Sequence, residues 1–118
     1  MKKILYIEDH EDTAETVKMI LSKAGFKADI ALSGKDGISH AAKNHYDLIL
    51  LDIMMPDMSG WDVFQTLKKS IKAKYAFLSA LPVSAERMEE LKKAGISDYI
   101  TKPFKKDDLA ARIKKALE

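Results

Sequence analysis

Residues 48–60 read LILLDIMMPDMSG, and this stretch decides the fold class of the chain. Its apolar run predicts a buried strand over Leu48–Ile53, and the proline and glycine that come after it predict a loop. Asp52 places a carboxylate near the end of that strand. Because the ligands of open parallel sheets bind at the carboxyl ends of the strands, Asp52 is a candidate site residue.

A second apolar run also ends in acids. Residues 4–7 read ILYI, and Glu8 and Asp9 follow directly. Two buried strands that both end in carboxylates predict a site that draws acids from more than one strand.

Apolar runs alternate with amphipathic segments five times along the 118 residues. The predicted strands are Lys3–Ile7, Lys27–Ala31, Leu48–Ile53, Tyr75–Leu78 and Asp98–Thr101. A helix is predicted after each strand, and the helix start signals are Asp12, Ser33, Ser59, Ser84 and Asp107. Gly25 and Gly95 mark two helix ends. This pattern predicts an α/β fold of (βα)5 type with a doubly wound parallel sheet, and five strands favour the flavodoxin-like order 2-1-3-4-5. The length predicts a single domain over residues 1–118.

The composition excludes several functional classes. The chain has no cysteine, which excludes disulfides, thiolate catalysis and cysteine-based zinc sites. No apolar run is long enough for an export signal or a membrane span, so we expect a cytoplasmic protein without membrane insertion. Residues 1–60 contain 7 Lys/Arg and 10 Asp/Glu and are therefore acidic. Residues 61–118 contain 13 Lys/Arg and 8 Asp/Glu and are therefore basic. The lysines are distributed over several helices with few aromatic residues between them, which favours a solvated surface over direct nucleic-acid binding.

The predicted strand order brings the acids together. Strands one and three are neighbours in it, so Glu8, Asp9 and Asp52 should converge at one edge of the sheet. Three close carboxylates would raise one another's pKa values unless a cation lies between them. Oxygen ligands in an incomplete protein shell favour Mg²⁺ over zinc, and the open positions suit a phosphoryl group.

The ends of strands four and five carry the complementary groups. Strand four ends in Ser79, a hydroxyl donor, and Lys102 follows strand five. A carboxylate nucleophile, a metal site, a hydroxyl and an ammonium are the groups that an acyl phosphate requires. The sequence therefore predicts phosphoryl transfer to Asp52.

These motifs resemble the receiver domain of two-component response regulators over essentially the whole chain. The residues that carry the resemblance are Glu8-Asp9, Asp52, Ser79-Ala80, Tyr99 and Lys102-Pro103-Phe104. The resemblance implies that Asp52 accepts the phosphoryl group and that Lys102 pairs with its oxygens. It also implies that Mg²⁺ is bound directly by Asp9, through water by Glu8, and by the backbone carbonyl of Met54. The Lys102-Pro103 bond is expected to be cis.

The resemblance implies a two-state switch as well. Ser79 would hydrogen-bond the phosphoryl group and Tyr99 would move inward, which changes the face formed by helix four, strand five and helix five. The implied partners are a sensor histidine kinase or phosphotransfer protein and a downstream output protein, and phosphorylation-dependent dimerisation stays open. The acyl phosphate is expected to hydrolyse slowly, without dedicated enzymatic turnover.

Other classes fit the residues less well. A flavodoxin-like electron carrier would need a phosphate loop where the chain has residues 8–12, EDHED, which would repel an anionic cofactor. A haloacid-dehalogenase-like phosphatase expects an acid two residues after the nucleophile, where Met54 stands. A phosphorylation-independent interaction domain would be favoured by loss of Asp52 or Lys102, and both are present. Met1 directly before strand one favours a natural N-terminus, whereas a stand-alone protein and a receiver fragment of a larger regulator both remain open.

Two features depart from the family pattern. Ser79 stands where threonine is more frequent, which keeps the hydroxyl but removes the methyl group that limits its rotamers. Leu81-Pro82 follows in the loop that should move, and proline restricts that loop to fewer conformations. Beside the site, His10 is interpreted as a solvated loop residue and Trp61 as a packing residue.

Overall fold

The computed structural model describes residues 1–118, and its ten elements follow the predicted alternation of strands and helices. The strands are β1 (Lys3–Ile7), β2 (Lys27–Ala31), β3 (Leu48–Leu51), β4 (Lys74–Ser79) and β5 (Ile96–Thr101). The helices are α1 (Glu11–Lys23), α2 (Gly34–Lys43), α3 (Gly60–Leu67), α4 (Ala85–Ala94) and α5 (Lys106–Ala116). All strands are parallel in one sheet of order β2-β1-β3-β4-β5, so the predicted fold class is confirmed.

The sheet is covered on both faces because alternate strand residues point to opposite sides. Leu5 and Ile7 of β1 pack in the core under α2, α3 and α4, whereas Ile4 and Tyr6 pack in the core under α1 and α5. Strands buried on both faces are continuous apolar runs, as β1 and β3 are. None of the five helices has the length and apolar character that crossing a bilayer requires.

Three helix start signals are confirmed by side-chain caps. The hydroxyls of Ser33, Ser59 and Ser84 each accept a hydrogen bond from the backbone N–H three residues later. At the other end, α4 stops at Gly95 with φ of 113°, a left-handed conformation that suits glycine. These local signals therefore set both ends of α4.

Two predicted helix starts are wrong. Helix α1 begins at Glu11 after the N-cap His10, one position before Asp12, and α5 begins at Lys106 after the N-cap Lys105. Neither N-cap makes a side-chain cap. Asp12 and Asp107 lie inside the first turns instead, where a negative charge is favoured by the helix dipole.

Four boundaries in three strands also differ from the prediction. Strand β3 ends at Leu51 because the carbonyl of Ile53 accepts from the N–H of Gly60 at 2.9 Å, inside the following loop. Strand β4 extends one residue further at each end, and β5 begins at Ile96 instead of Asp98. The pairing of Ile96 with Tyr75 on the neighbouring strand, which hydropathy does not reveal, accounts for the earlier start.

Candidate functional site

The pairing of β1 with β3 creates an acidic cluster at the carboxyl edge of the sheet. Ile7 lies opposite Leu51, so the residues that follow both strands meet. Ligand atoms of Glu8, Asp9, His10 and Asp52 all lie within 4.8 Å of one another. The predicted convergence of the three acids is therefore observed, with a histidine added to it.

Asp52 is buried at the centre of the cluster, with 4 % of its surface exposed. Its Oδ1 accepts a hydrogen bond from the N–H of Met54 at 3.3 Å, and its Oδ2 lies 3.5 Å from Nζ of Lys102. Burial, together with the hydrogen bond and negative charge of Glu8, raises the pKa of Asp52 to about 6. Ionisation of Asp52 is therefore unfavourable without a nearby positive charge, and a bound cation would stabilise its ionised form.

Glu8 is fully buried and is held by three neighbours. Its Oε1 accepts from the hydroxyl of Tyr6 at 2.9 Å and from Nζ of Lys102, and the N–H of His10 reaches its Oε2 at 3.3 Å. Burial alone would raise the pKa of Glu8, but the hydrogen bonds from Lys102, Asp52 and Tyr6 outweigh it and lower the pKa to about 2. Glu8 is therefore the ionised member of the pair that it forms with Asp52, and Lys102 is its counterion.

Asp9 supplies the strongest indication of a cation at this site. Its Oδ1 is buried and has no hydrogen-bond partner, although buried polar atoms are nearly always hydrogen-bonded. The nearest base is Nδ1 of His10 at 3.4 Å. A donor set made mainly of carboxylate oxygens, one of them without a partner, fits a hard divalent cation such as Mg²⁺.

Ser79 and Tyr99 lie at the same edge on the next two strands. Ser79 is the last residue of β4 and is fully buried, and its Oγ accepts from the N–H of Leu81 at 3.3 Å. The hydroxyl of Tyr99 donates to the carbonyl of Leu81 at 2.6 Å. Leu81 thus bonds to both predicted switch residues, and Pro82 follows it directly.

Lys102 follows β5 and is joined to Pro103 by the expected cis bond. Its backbone N–H donates to the carbonyl of Ser79 at 2.8 Å, which ties the end of β5 to the end of β4. Its side chain is 18 % exposed and points to both Glu8 and Asp52. The Lys102 ammonium thus reaches the acids from the end of β5, which is two positions away from β3 in the sheet.

The loop after Asp52 is held from both sides. Gly60 packs directly on the backbone carbonyl of Asp52, with no room for a Cβ atom. The Asp57 carboxylate accepts from the N–H groups of Gly34 and Lys35 at 3.0 Å each, at the start of α2. The side chain of Met54 is exposed, and the role of its carbonyl stays a prediction.

Sequence reasoning missed three contributors to this site. His10, whose position after the acidic pair favours a solvated loop residue over one at the rim of the site, is both: most of its side chain is exposed, and its Nδ1 lies 3.3 Å from Glu8 Oε2. Tyr6 was assigned only to a strand, although a tyrosine two residues before Glu8 lies on the same side of that strand. Asp57 carried no local signal because its partners lie more than twenty positions earlier in the chain.

Comparisons with known proteins agree with this geometry. The sequence model described as response regulator receiver domain matches residues 4–114. The transcriptional regulatory protein HprR of Escherichia coli is 41 % identical over 115 residues, which are 98 % of this chain and 51 % of HprR. The chain spans about half the length of the curated relatives it matches.

Solved structures show the same architecture. The receiver domain of the Francisella response regulator 1452 superposes with a TM-score of 0.89 at 33 % identity and covers 99 % of this chain and 97 % of that one. The response regulator TrrA of Thermotoga maritima, solved in complex with Mg(2+)-BeF, gives a TM-score of 0.84 at 32 % identity, with 98 % and 99 % covered. This chain belongs to the family of response regulator receiver domains.

Proposed function

We propose that Asp52 is the residue at which this receiver domain accepts a phosphoryl group from the phosphohistidine of a sensor histidine kinase or phosphotransfer protein. The observation that carries the proposal is the position of Asp52, buried between two further acids and 3.5 Å from the Lys102 ammonium. Mg²⁺, when bound among Glu8, Asp9 and Asp52, would neutralise charge on the carboxylates and on the phosphoryl oxygens.

The transfer step balances with the groups present. A carboxylate oxygen of Asp52 attacks phosphorus and forms a P–O bond while the P–N bond to the donor imidazole breaks. The electron pair of that bond stays on the imidazole nitrogen, which takes a proton from solvent. Lys102, already beside the attacking oxygen, would exchange part of its contact with Glu8 for the incoming phosphoryl oxygen, and the Ser79 hydroxyl would donate to another.

Labelling of the chain with a small phosphodonor tests the assignment. Acetyl phosphate should add one phosphoryl group to the wild type in the presence of Mg²⁺, as read by intact-protein mass spectrometry. Asp52→Asn should abolish labelling, and the exposed first-turn variant Asp62→Asn should retain it. Labelling of Asp52→Asn at the wild-type level, or labelling that survives a chelator, would refute the role of Asp52.

The switch is proposed to involve Ser79 and Tyr99. Both bond to Leu81, so movement of the Ser79 hydroxyl toward a phosphoryl group would remove one of the bonds that hold this loop. The face formed by α4, β5 and α5 would then repack and bind an output protein or a second copy of the chain. Light scattering with and without beryllofluoride distinguishes these two outcomes.

We further propose that residues 1–118 are the single receiver domain of a larger transcriptional regulator in the cytoplasm. The support is that the curated relatives are about twice as long and that HprR is named a transcriptional regulatory protein. An antibody against this domain, applied to an extract of the source cell, should detect a protein of about twice 13.2 kDa. A band at 13.2 kDa alone would show a stand-alone receiver.

A further inference from the structure

Many of the lysines lie at one edge of the folded molecule. Because the strands are parallel, all strand starts lie at the edge opposite the acidic cluster, and all helices end there. Thirteen of the 20 Lys and Arg residues belong to these strand starts, helix ends and their connections. This set, called the basic edge, consists of Lys2, Lys3, Lys23, Lys27, Lys43, Lys68, Lys69, Lys72, Lys74, Lys92, Lys93, Lys114 and Lys115.

Few acids balance this charge. All the lysines of the basic edge except the half-buried Lys3 are exposed. The acids between them are Asp47, which accepts from the backbone N–H of Lys3, Glu118 and Asp98. Asp98 is already paired with Arg112. An ordinary protein surface mixes charges of both signs, so this edge has an unusually strong positive field.

Helix dipoles account for only part of the pattern. Lysines in the last turns of α1, α2, α4 and α5 interact favourably with the negative helix ends. Lys3, Lys27 and Lys74 instead begin strands, and Lys3 and Lys27 lie directly opposite each other in the sheet. Within the chain, Lys3 lies over the Tyr46 ring at 5.2 Å and Lys74 donates to the carbonyl of Glu118. An anionic partner would reduce the remaining repulsion between neighbouring like charges.

The shape of the basic edge suits a phosphate backbone. One groove of about 480 Å³ is lined by Lys43, His45 and Lys72. Another of about 300 Å³ is lined by four basic residues, Lys74, Lys92, Arg112 and Lys115, and by the two acids Asp98 and Glu118. The molecule measures 32 × 31 × 28 Å, and a face of that width spans about nine base pairs at about 3.4 Å each.

We propose that the basic edge binds the phosphate backbone of duplex DNA without reading its sequence. The inference rests on the proposed function, in which the chain is part of a transcriptional regulator. It replaces the expectation of a merely solvated surface, since lysines that are distributed over five helices in the sequence converge in the fold. Lysines without interleaved aromatic groups bind phosphates and provide no base stacking.

The other anionic partners fit less well. Stable binding to an anionic membrane would be helped by exposed apolar side chains, and of the exposed large apolar residues only Met1 lies at the basic edge. An acidic protein would be expected to bury an apolar centre within the interface, whereas the apolar residues in the groove beside Lys43 are Ala41, Ala42, Tyr46 and Ile71, none of them a large exposed side chain. Binding to the phosphates of duplex DNA requires only exposed positive charges, which the lysines of the basic edge provide.

Salt-dependent binding of the 118-residue chain tests the proposal. A fluorescein-labelled duplex of about 20 base pairs is titrated by anisotropy from about 20 to about 200 mM NaCl. Contact with at least four phosphates predicts a slope of log K against log salt steeper than about −3.5. Two duplexes of unrelated sequence should give the same affinity. The variant Lys43→Gln/Lys72→Gln/Lys115→Gln should weaken binding by about tenfold or more and make the slope shallower by about 2 to 3.

A matched control carries Lys18→Gln, Lys35→Gln and Lys106→Gln, which are exposed lysines outside the basic edge. Both triple variants change the net charge from +2 to −1, so only the position of the charge differs. Retained binding in the control supports the proposal. Equal loss in both variants, no binding at low salt, or tighter binding to phosphatidylserine vesicles or polyglutamate would overturn it. Beryllofluoride binding at Asp52, measured on all three proteins, tests the receiver function independently.

Discussion

Glu8 contacts Lys102 and contributes to the raised pKa of Asp52, so it influences both other charged groups at the centre of the site. It is fully buried, yet it lies against an ammonium, a tyrosine hydroxyl and a backbone N–H. These contacts keep it ionised while the neighbouring Asp52 is harder to ionise. The two carboxyls thus have different properties because their neighbours differ, which supports the proposed roles of Glu8 as a supporting acid and of Asp52 as the nucleophile.

Tyr6→Phe tests the support of Glu8. The change removes the hydroxyl that donates to Oε1 at 2.9 Å, so we expect the free energy of unfolding to fall by about 1–3 kcal/mol. A less restrained Glu8 should also weaken Mg²⁺ binding by about tenfold. Urea unfolding and an NMR titration with Mg²⁺ measure the two effects. Tyr75→Phe, which removes a bond to the carbonyl of Ile71 at 2.8 Å, is the control that should lose stability only. The same loss of Mg²⁺ affinity in both variants would contradict this role of Tyr6.

The lifetime of the acyl phosphate is predicted to depend on Met54 and Leu81. Both side chains are exposed, at 53 % and 38 %, and neither can orient a water molecule. Met54→Asn or Leu81→Glu should therefore speed hydrolysis by about tenfold or more while phosphorylation remains intact. Loss of the phosphoryl group over time, followed by mass spectrometry, measures the rate. An unchanged rate in both variants would mean that water is controlled elsewhere.

At the scale of elements, the loop after β3 is attached to the start of α2. Asp57 accepts from the first two N–H groups of α2, and Ser33 accepts from the next two with its hydroxyl and its carbonyl. The three N–H groups of the first turn that lack an intrahelical acceptor are thus bonded, and the N–H of Gly37 makes the first intrahelical bond to the carbonyl of Ser33. The helix and the loop that carries Met54 are expected to move together.

Asp57→Ala separates these two elements. We expect it to lower the free energy of unfolding by about 1 kcal/mol, the usual effect of losing a helix cap. Amide exchange should accelerate at Gly34 and Lys35, which lose their acceptors. Asp62→Ala, on a neighbouring helix start without such a bond, is the control. Unchanged exchange at Gly34 in Asp57→Ala would show that the helix start is held by other contacts.

The link between β5 and α5 should make stability depend on pH. Arg112 donates two hydrogen bonds to Asp98, at 2.8 and 2.7 Å, and a third to the carbonyl of Tyr99. Burial acts to raise the pKa of Asp98, but Arg112 outweighs it and the net pKa is lowered. This stabilisation is present above the ordinary aspartate pKa of about 4 and is lost as the pH falls through the lower folded-state value.

Asp98→Asn should therefore be less stable than the wild type near neutral pH, and the difference should shrink as the pH falls below about 4. Denaturant unfolding at a series of pH values measures it. A difference that stays constant across this range would mean that the charge of Asp98 does not stabilise the fold.

At the scale of the whole molecule, charge is separated from one edge of the sheet to the other. Acids follow β1 and β3 and lie in the first turns of all five helices, whereas thirteen lysines lie at the opposite edge. Charge separation of this kind would favour cations near Asp52 and anions at the basic edge. The parallel topology produces this separation because it gives every helix the same direction relative to the sheet.

Phosphorylation is predicted to reach the face around Tyr99, whose exposed charges are mostly basic. The charged residues predicted for this face are Arg87, Glu90, Lys93, Lys105, Lys106 and Lys114, but Lys106 and Lys114 line the groove between α1 and α5 instead. An acidic partner should bind there with an on-rate that falls as salt is added. By reciprocity, it should favour the phosphorylated state by the same factor, typically about 1–3 kcal/mol.

Amide chemical shifts recorded with and without beryllofluoride measure this change. In the wild type, the chemical-shift changes should extend to Leu81 and Tyr99. In Ser79→Ala, they should be confined to residues near Asp52. Wild-type changes that remain near Asp52 would show that Pro82 holds the loop in one conformation and that another surface signals.

Much of the fold was predictable because its signals are local. The strands are runs of four to six residues, and the serine caps act over three residues, so each is visible in a short window of sequence. The acids of the site were predictable because each follows a strand. The starts of α1 and α5 were not, because the N-cap residues before them, His10 and Lys105, make no capping side-chain bond.

The sequence by itself determined the alternation of strands and helices, the parallel sheet and the strand-end positions of Glu8, Asp9, Asp52, Ser79 and Lys102. Only the tertiary structure decided the partner of each group. Lys102 bonds to Glu8 across 94 positions of the chain, and Asp57 bonds to α2 across more than twenty. Periodicity and capping act over a few residues, whereas these contacts depend on how side chains of distant segments meet in space. The basic edge has the same origin, since lysines far apart in the sequence become neighbours when parallel strands align their starts.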